Sequence, residues 1–270
     1  MKLTVLTDNN TIIDRYYLGE PALSFYMEDG EERILFDTGY SDVFLKNAEK
    51  LGIDLNRVTT IVFSHGHNDH TGGLPYFLKR FDMHGKRLVT HPDVFVQREY
   101  EGDFVGAPFQ REEVLHSGIE LVERKEPLWL SEHLLYLGEI PRTTSFEANE
   151  AIGEIVSRGK RTKDYVMDDT ALAYMGEEGL SLITGCSHSG ICNILKYAEQ
   201  CTGRHDVSSV IGGLHLMKNN RQLTETVSFL KQVIHGTLYP CHCVSLYAKH
   251  RLMSELPVEE VGAGTVIEFH

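Results

Sequence analysis

Long apolar segments are missing from this chain of 270 residues. No stretch approaches the roughly eighteen consecutive apolar residues that indicate a membrane-spanning helix. The N-terminal residues Met1–Leu6 follow a strand pattern and lack the charged start and apolar centre of a signal peptide. The sequence therefore predicts a protein with no membrane partner. Internal repeats and low-complexity segments are also absent, which excludes a repeat architecture.

Cysteine is scarce as well. The chain has five cysteines, an odd number, without the regular spacing of a disulfide framework. We therefore expect reduced thiols and a cytoplasmic location. Cys186, Cys241 and Cys243 stand beside candidate ligands described below. For these three, the sequence favours small buried residues over a chemical role.

Basic residues are outnumbered, with 26 Lys and Arg against 39 Asp and Glu and a net charge of −13. Nonspecific binding of nucleic acid depends on a basic surface, so we expect no nucleic-acid partner. An anionic small molecule is not excluded, because bound cations would create a strong local positive field. Arg142 is the candidate for holding a phosphate or carboxylate of such a substrate, with a solvated surface arginine as an equal alternative.

The most informative segment is SHGHNDHTGG, in which His65, His67, Asp69 and His70 offer four metal-competent side chains. The apolar run Thr59–Phe63 before it predicts a buried strand, so the ligands would lie on a loop anchored in the core. Residues two apart diverge on a helix but can converge on one ion in an extended loop. A histidine-rich surface loop is a poor alternative, because crowded imidazoles gain no packing and repel one another once protonated.

Three further histidines also follow strand-like runs. His188 lies in a glycine-flanked turn after Leu180–Thr184, His215 follows Val207–Ile211, and His242 ends a short strand. Each histidine alone would be an ordinary core or surface residue. Four strand ends that each deliver a histidine are hard to explain by packing. We therefore predict that His188 and His242 join the first motif, and His215 is left equally open between ligand and bystander.

In their order along nearly the whole chain, these motifs resemble the metallo-β-lactamase superfamily. The turn at Asp37–Gly39 and the closing segment Val261–Thr265 also match. One branch of the superfamily is especially similar; most of its members are known only as metal-dependent hydrolases, and one is a dihydropterin-linked synthase. The segments similar to that branch are Asp8–Asn10, Gly138–Arg142, Phe146–Glu147, Asp168–Leu172, Gly185–Gly190 and Ile211–Leu216.

The resemblance implies two divalent metal ions. Mixed imidazole and carboxylate ligands suit zinc first, with iron(II) or manganese as alternatives, and the lack of thiolates in the motif argues against a closed structural zinc site. Asp37 would accept an N–H from a ligand histidine. Asp69 and His215 are the candidates for a direct catalytic role. The implied ligands are His65, His67 and His188 for one ion, and Asp69, His70 and His242 for the other.

Two departures from the superfamily pattern stand out. Many members place a bridging aspartate at the end of a late strand, where this chain has Gly212–Gly213. Asp206 precedes that strand and lies at its wrong end, so either the second ion binds more weakly or His215 contributes. The segment Cys241–Ser245 departs from the Thr-Gly that the branch usually shows after its His-Cys pair. That change leaves the substrate open.

Strand and helix patterns alternate in two halves. The first half predicts four strands within residues 2–63 and helices at 41–50 and 74–81, and the second predicts five strands within 169–269. Periodicity supports an α/β or α+β fold, and the resemblance implies a four-layer αββα sandwich. Because the motifs are spread along the chain and must meet, we expect a single domain over residues 1–270.

The segment 98–146 is less regular and carries several glycines and prolines. We expect an insertion there whose loops and hairpins border the active site. Insertions of this kind often decide which substrate a scaffold enzyme accepts.

Two function classes follow from these observations. The first is a metal-dependent hydrolase that uses a metal-bound hydroxide on a small anionic, phosphorylated metabolite. The second is a synthase, of transferase or lyase type, that joins a dihydropterin to a ribofuranosylaminobenzene phosphate. A metal or redox sensor ranks last, because the chain lacks the flavin or rubredoxin-like domain of electron-transfer relatives. The sequence leaves open whether the chain forms a homo-oligomer.

Overall fold

The computed structural model describes residues 1–270, and its strands form three sheets. Numbered in chain order, the strands are Lys2–Thr7 (β1), Ser24–Asp29 (β2), Glu32–Phe36 (β3), Thr60–Val62 (β4), Arg87–Thr90 (β5), Gln97–Tyr100 (β6), Asp103–Phe104 (β7), Glu120–Glu123 (β8), Leu128–Trp129 (β9), Leu134–Tyr136 (β10), Glu154–Ser157 (β11), Lys160–Lys163 (β12), Ala171–Gly176 (β13), Gly179–Thr184 (β14), Val207–Gly212 (β15), Ile234–Pro240 (β16) and Val266–Glu268 (β17).

Two large sheets carry the architecture. The first has the order β17-β1-β2-β3-β4-β5-β8, and the second has the order β16-β15-β14-β13-β10-β9. In each sheet an antiparallel part adjoins a parallel part: β3, β4, β5 and β8 are parallel, as are β14, β15 and β16. The carboxyl ends of parallel strands meet at one sheet edge, and the loops that leave those ends carry the motif histidines.

Helices cover the outer faces of both sheets. None of them combines the length and apolarity that crossing a membrane requires. In chain order they are Val43–Leu51 (α1), Asn68–Thr71 (α2), Leu74–Arg80 (α3), Arg111–His116 (α4), Ile191–Thr202 (α5), Arg221–Val233 (α6) and Leu246–Met253 (α7).

Side-chain alternation along the strands creates three cores. In β3, Ile34 and Phe36 belong to the core between the two sheets, whereas Leu35 packs with the helices α1, α3 and α4. In β14, Ile183 belongs to the inter-sheet core and Leu182 packs with α5, α6 and α7. A strand that buries both faces shows this pattern because successive side chains point to opposite sides. The layers are thus helix, sheet, sheet and helix, which confirms the predicted αββα sandwich.

The segment 98–146 differs in part from the expected insertion. Its strands β8, β9 and β10 complete the two large sheets, and only its beginning lies outside them. There β6 and β7 form a third, four-stranded sheet with β11 and β12, so the part of the chain outside the two large sheets includes residues up to Lys163. The hairpin of β6 and β7 borders the metal motif, since the Asn68 N–H donates to the Val105 carbonyl at 2.9 Å. Strands of two to four residues between glycines and prolines carry too little periodicity to be recognised.

Candidate metal centre

The first motif leaves β4 and turns into the single-turn helix α2. Its far end is fixed to the loop after β3: the Thr38 N–H donates to the His70 carbonyl at 2.7 Å, and the Gly73 N–H donates to the Gly39 carbonyl at 3.1 Å. A Cβ on Gly73 would lie 2.0 Å from the Thr38 carbonyl oxygen. Only glycine permits so close an approach. The closing glycines of the motif therefore hold its histidines against the loop that carries Asp37.

The later histidines follow the parallel strands of the second sheet. His188 comes after β14, His215 after β15 and His242 after β16. His215 and His242 have positive φ angles of 47° and 54°, and Asp37 and Ser187 on adjacent loops share that conformation. Non-glycine residues seldom adopt it. Such strain is concentrated at functional loops, where surrounding contacts hold the backbone in place.

His65, His67 and His188 lie together, as the sequence predicts. The Nε2 atom of His65 is 3.0 Å from Nδ1 of His67, and the His188 ring centroid is 4.8 Å and 4.9 Å from those of His65 and His67. Both nitrogens of His188 are buried without a hydrogen-bond partner. Buried polar atoms are rarely left unpaired. Three converging imidazoles with unpaired nitrogens fit a metal ion.

Asp69, His70 and His242 form the second group, again in the predicted division. The Nε2 atoms of His70 and His242 are 3.1 Å apart. Asp69 Oδ2 is 3.3 Å from His242 Nε2 and 3.6 Å from His70 Nε2. The structure adds Cys186, whose Sγ is 3.2 Å from Nε2 of His70. The sequence favours a core position for this cysteine, and its place two residues before His188 is the only local sign that it lies beside the candidate ligands.

Asp37 orients two of the histidines. The His70 Nδ1–H donates to Asp37 Oδ2 at 2.6 Å, as predicted for a ligand histidine. The Ser64 hydroxyl donates to the same oxygen at 2.7 Å and accepts from Nδ1 of His65 at 2.9 Å. With Nδ1 protonated in both rings, Nε2 carries the free lone pair that a metal needs. The role of Ser64 has no signal in the sequence.

His242 has its own positioning contacts. Its Nδ1–H donates to the side-chain oxygen of Asn9 at 2.9 Å, and its backbone N–H donates to Asp8 Oδ1 at 2.8 Å. Nε2 of His242 is therefore also the free nitrogen. The segment Asp8–Asn10 resembled the superfamily branch, but only the fold brings it to the end of β16.

The adjacent residues Asp168 and Asp169 bind the backbone of the loops that carry the candidate ligands. Asp168 accepts the Gly66 N–H at 2.8 Å, between His65 and His67, and Asp169 accepts the Ser189 N–H at 2.9 Å, next to His188. Both aspartates are almost fully buried. The sequence pointed to this pair as a branch feature without indicating its contacts. The two aspartates therefore fix the backbone that carries His65, His67 and His188.

No carboxylate occupies the place of the expected bridging aspartate. A Cβ on Gly213 would meet Cys243 Sγ at 2.5 Å and Cys186 Cα at 3.3 Å, so thiol-bearing residues fill this space. Asp206 is an exposed residue at the other end of β15 and pairs with Arg204 at 2.6 Å. The structure therefore agrees with the departure noted in the sequence.

The two candidate substrate-binding residues have different surroundings. The His215 ring centroid is 4.5 Å from that of His188, which places His215 beside the first group. The Arg142 guanidinium donates to three backbone carbonyls, those of Ala148, Tyr165 and Val166. These contacts commit much of the guanidinium to the protein and leave less of it for a substrate anion.

Burial keeps the imidazoles of His65, His67 and His188 neutral. It lowers the pKa of His67 to about 3 and lowers those of His65 and His188 well below the usual range, with neighbouring imidazoles adding to the shift. For His70, burial alone would lower the pKa, but the Asp69 and Asp37 carboxylates raise it to about 9. Neutral imidazoles are the form that binds metal, so an ion at His70 would have to displace the proton that the raised pKa favours.

Acid should destabilise the metal-free protein through His65, His67 and His188, whose pKa values are lowered, whereas the raised pKa of His70 acts in the opposite direction. The unfolded chain takes up a proton at His67 near pH 6.5, whereas the folded chain resists it down to about pH 3. Stability must therefore fall as the pH drops from 6.5, by about 2 kcal/mol for His67 alone at pH 5. Urea unfolding in chelator at pH 7.5 and pH 5 measures this loss.

The matched variant is His67→Gln, which should show a loss smaller by that amount. Asp169 acts in the opposite direction, because burial raises its pKa to about 6. Such contributions to the pH dependence are the same in both proteins and cancel in the comparison. An equal acid loss in both proteins would contradict the assignment of a neutral, buried His67.

Sequence comparison agrees with the geometry. A profile of the metallo-β-lactamase superfamily matches residues 18–198. Two proteins of Methanocaldococcus jannaschii are each 30% identical to the chain. One is uncharacterised and aligns over 93% of each protein. The other, named 7,8-dihydropterin-6-methyl-4-(β-D-ribofuranosyl)-aminobenzene-5′-phosphate synthase, aligns over 100% of this chain and 97% of its own length.

Solved structures point the same way. A protein described as a metal-dependent hydrolase of the β-lactamase superfamily is 31% identical, with a TM-score of 0.84 over 99% of this chain and 98% of that protein. Zinc-bound PqqB of Methylobacterium extorquens, at 10% identity and a TM-score of 0.59, shares the fold over the whole length of both chains. The fold implies divalent metal binding. The chain belongs to the metallo-β-lactamase superfamily.

Proposed function

We propose that the chain is a metal-dependent hydrolase of a small anionic, phosphorylated metabolite. The observation that carries the proposal is the pair of adjacent donor groups at the edges of both sheets. Six protein ligands for two ions leave coordination positions for water and substrate, unlike a closed structural site. The proposed ligands are His65, His67 and His188 for one ion, and Asp69, His70 and His242 for the other.

The ions, with zinc as first choice, would supply an activated water and positive charge against the oxygen under attack. The protein's own contribution is positioning. Asp37 binds Nδ1 of His70 directly and that of His65 through Ser64, which turns both Nε2 atoms toward the site. Asn9 does the same for His242. The side chain of Asp69 is 29% exposed, so this carboxylate reaches the open side of the site. Asp69 is thus proposed as both ligand and catalytic group.

His215 is proposed as a substrate contact. It lies beside His188 at the end of β15, half-buried, and its ring belongs to neither donor group. Its backbone N–H donates to Cys243 Sγ at 3.3 Å, which fixes the strained turn. An imidazole next to the ions can donate a hydrogen bond to an anionic substrate. Arg142 is kept as a weaker candidate.

A single functional domain over residues 1–270 is part of the same proposal. His65, His67 and His70 come from loops of the first sheet, whereas His188 and His242 come from loops of the second. Neither sheet alone holds a complete donor group. The first part of segment 98–146 borders the site and is proposed to influence substrate choice.

A synthase is the second candidate, because a relative over the full length of the chain carries a synthase name. In that case the same side chains would help to join a dihydropterin to a ribofuranosylaminobenzene phosphate without net hydrolysis. Fold and ligands can outlive a change of reaction, so the name of a relative at 30% identity does not decide between the two.

A substrate panel separates the candidates. Metal-loaded protein is incubated with phosphate monoesters, phosphodiesters and lactones, and separately with a dihydropterin and a ribosylated aminobenzene donor. We expect hydrolysis of at least one phosphate ester, lost with chelator and restored by zinc, iron(II) or manganese. Turnover that survives chelation would contradict a metal-dependent reaction. A condensed product without any ester hydrolysis would favour the synthase.

A further inference from the structure

Cys186 occupies a donor position in the second group. It follows β14 directly, it is buried, and its Sγ lies with the donor atoms of Asp69, His70 and His242, all within 4.8 Å of one another. Besides the aspartate and the two histidines, many superfamily members add a bridging aspartate here, and this chain has Gly212 and Gly213 in its place. The thiol is therefore an additional donor of this chain.

The spacing of these donor atoms suits one tetrahedral ion. Zinc bonds of about 2.0 Å to nitrogen and about 2.3 Å to sulfur place tetrahedral ligand atoms about 3.3 to 3.6 Å apart. The distances from His70 Nε2 are 3.1 Å to His242, 3.2 Å to Cys186 and 3.6 Å to Asp69. The separations measured from His70 are thus close to those of a tetrahedral shell, and all four atoms lie within 4.8 Å of one another.

The position of the thiol beside His70 also favours a metal ion here. The His70 Nδ1–H donates to Asp37, so Nε2 is the nitrogen turned toward Cys186 Sγ, 3.2 Å away. A cation bound between these two atoms would displace the thiol proton, because metal-coordinated thiols are deprotonated. Cys243 differs, because its sulfur accepts the His215 N–H and donates to the Cys186 carbonyl.

We propose that Cys186 Sγ is the fourth protein ligand of the ion held by Asp69, His70 and His242, in place of the missing bridging carboxylate. This inference rests on the proposed two-metal function and specifies its second site, and the first ion, with three protein ligands, keeps an open position for water. A thiolate supplies the negative charge that Gly212 and Gly213 cannot, and it favours zinc over harder ions such as magnesium.

Cobalt(II) substitution tests the proposal. The whole chain, freed of metal and loaded with cobalt(II), should show two ions per chain and a sulfur-to-cobalt charge-transfer absorption in the near ultraviolet. Cys186→Ser should lose that absorption, while Cys243→Ser and the distant Cys201→Ser should keep it. X-ray absorption of the two-zinc wild-type protein should detect one sulfur neighbour for every two zinc ions, which does not depend on any variant folding.

The outcomes distinguish this inference from the proposed function. Two bound ions and hydrolytic turnover without a sulfur signal would overturn the role of Cys186 and leave the hydrolase intact. A charge-transfer band that persists in Cys186→Ser, or that disappears in Cys243→Ser, would assign the sulfur elsewhere. A chain that binds no cobalt or zinc would overturn both.

Discussion

Replacing His67 by alanine is expected to remove one of two bound metal ions and to lower kcat/KM on the order of a thousandfold. His67 faces His65 across 3.0 Å, and the first donor group has only three members, His65, His67 and His188. Loss of one imidazole leaves two ligands for that ion, too few to hold it at micromolar concentrations. Elemental analysis after dialysis and steady-state kinetics on the best ester measure the two effects together.

Two histidine variants serve as controls. His84→Ala alters an exposed imidazole bound to Asp82 and should change neither metal content nor rate. His215→Ala should keep both ions and lower kcat/KM, as expected for a substrate contact. If His67→Ala retained two ions and full activity, His67 would not be a ligand. If His215→Ala lost an ion, His215 would itself be one.

Much of the fold could be predicted because strands that are buried on both faces are apolar along most of their length. β3 alternates between two cores and β14 does the same, so both appear in the sequence as apolar runs of strand length. The donor residues were visible for a related reason. A metal motif needs several ligands within a few residues, and His65 to His70 satisfy that requirement locally.

The rest depends on contacts between distant segments. Asn9 meets His242 only because β1 and β16 end near each other, a sequence separation of 233 residues. Cys186 becomes a donor only when the β14 loop packs against the first motif. In the sequence it has the same character as Cys192, which is a core residue of α5. Spacing alone cannot distinguish a thiol directed at His70 from one directed into a core.

The positioning network could not be predicted for the same reason. Asp168 and Asp169 are adjacent in the chain yet serve two loops that belong to different sheets. Their hydrogen bonds to the backbone fix the loops that carry His65, His67 and His188, and Asp37 orients the rings of His65 and His70. Placement of the metal ligands thus depends on buried charges that carry no local signal.

Arg98→Met is expected to lower the free energy of unfolding of the metal-free protein by about 3–5 kcal/mol. Arg98 is fully buried and pairs with Asp164 at 2.8 Å and with Asp168, so its loss leaves two uncompensated carboxylates in the core. Asp168 also holds the Gly66 N–H between the first two histidines. Urea unfolding in chelator gives the stability change, and zinc titration should show weaker binding at the first site.

The matched control is Arg111→Met. Arg111 makes a comparable ion pair with Glu123, but on the surface, where solvent screens the charges, so its loss should leave the free energy of unfolding nearly unchanged and zinc affinity unchanged. Arg98→Met combined with Asp164→Asn and Asp168→Asn removes the unpaired charges and should recover part of the stability. Equal effects of Arg98→Met and Arg111→Met would contradict the argument. Because the amide oxygen of Asp168→Asn can still accept the Gly66 N–H, zinc affinity should recover together with the stability.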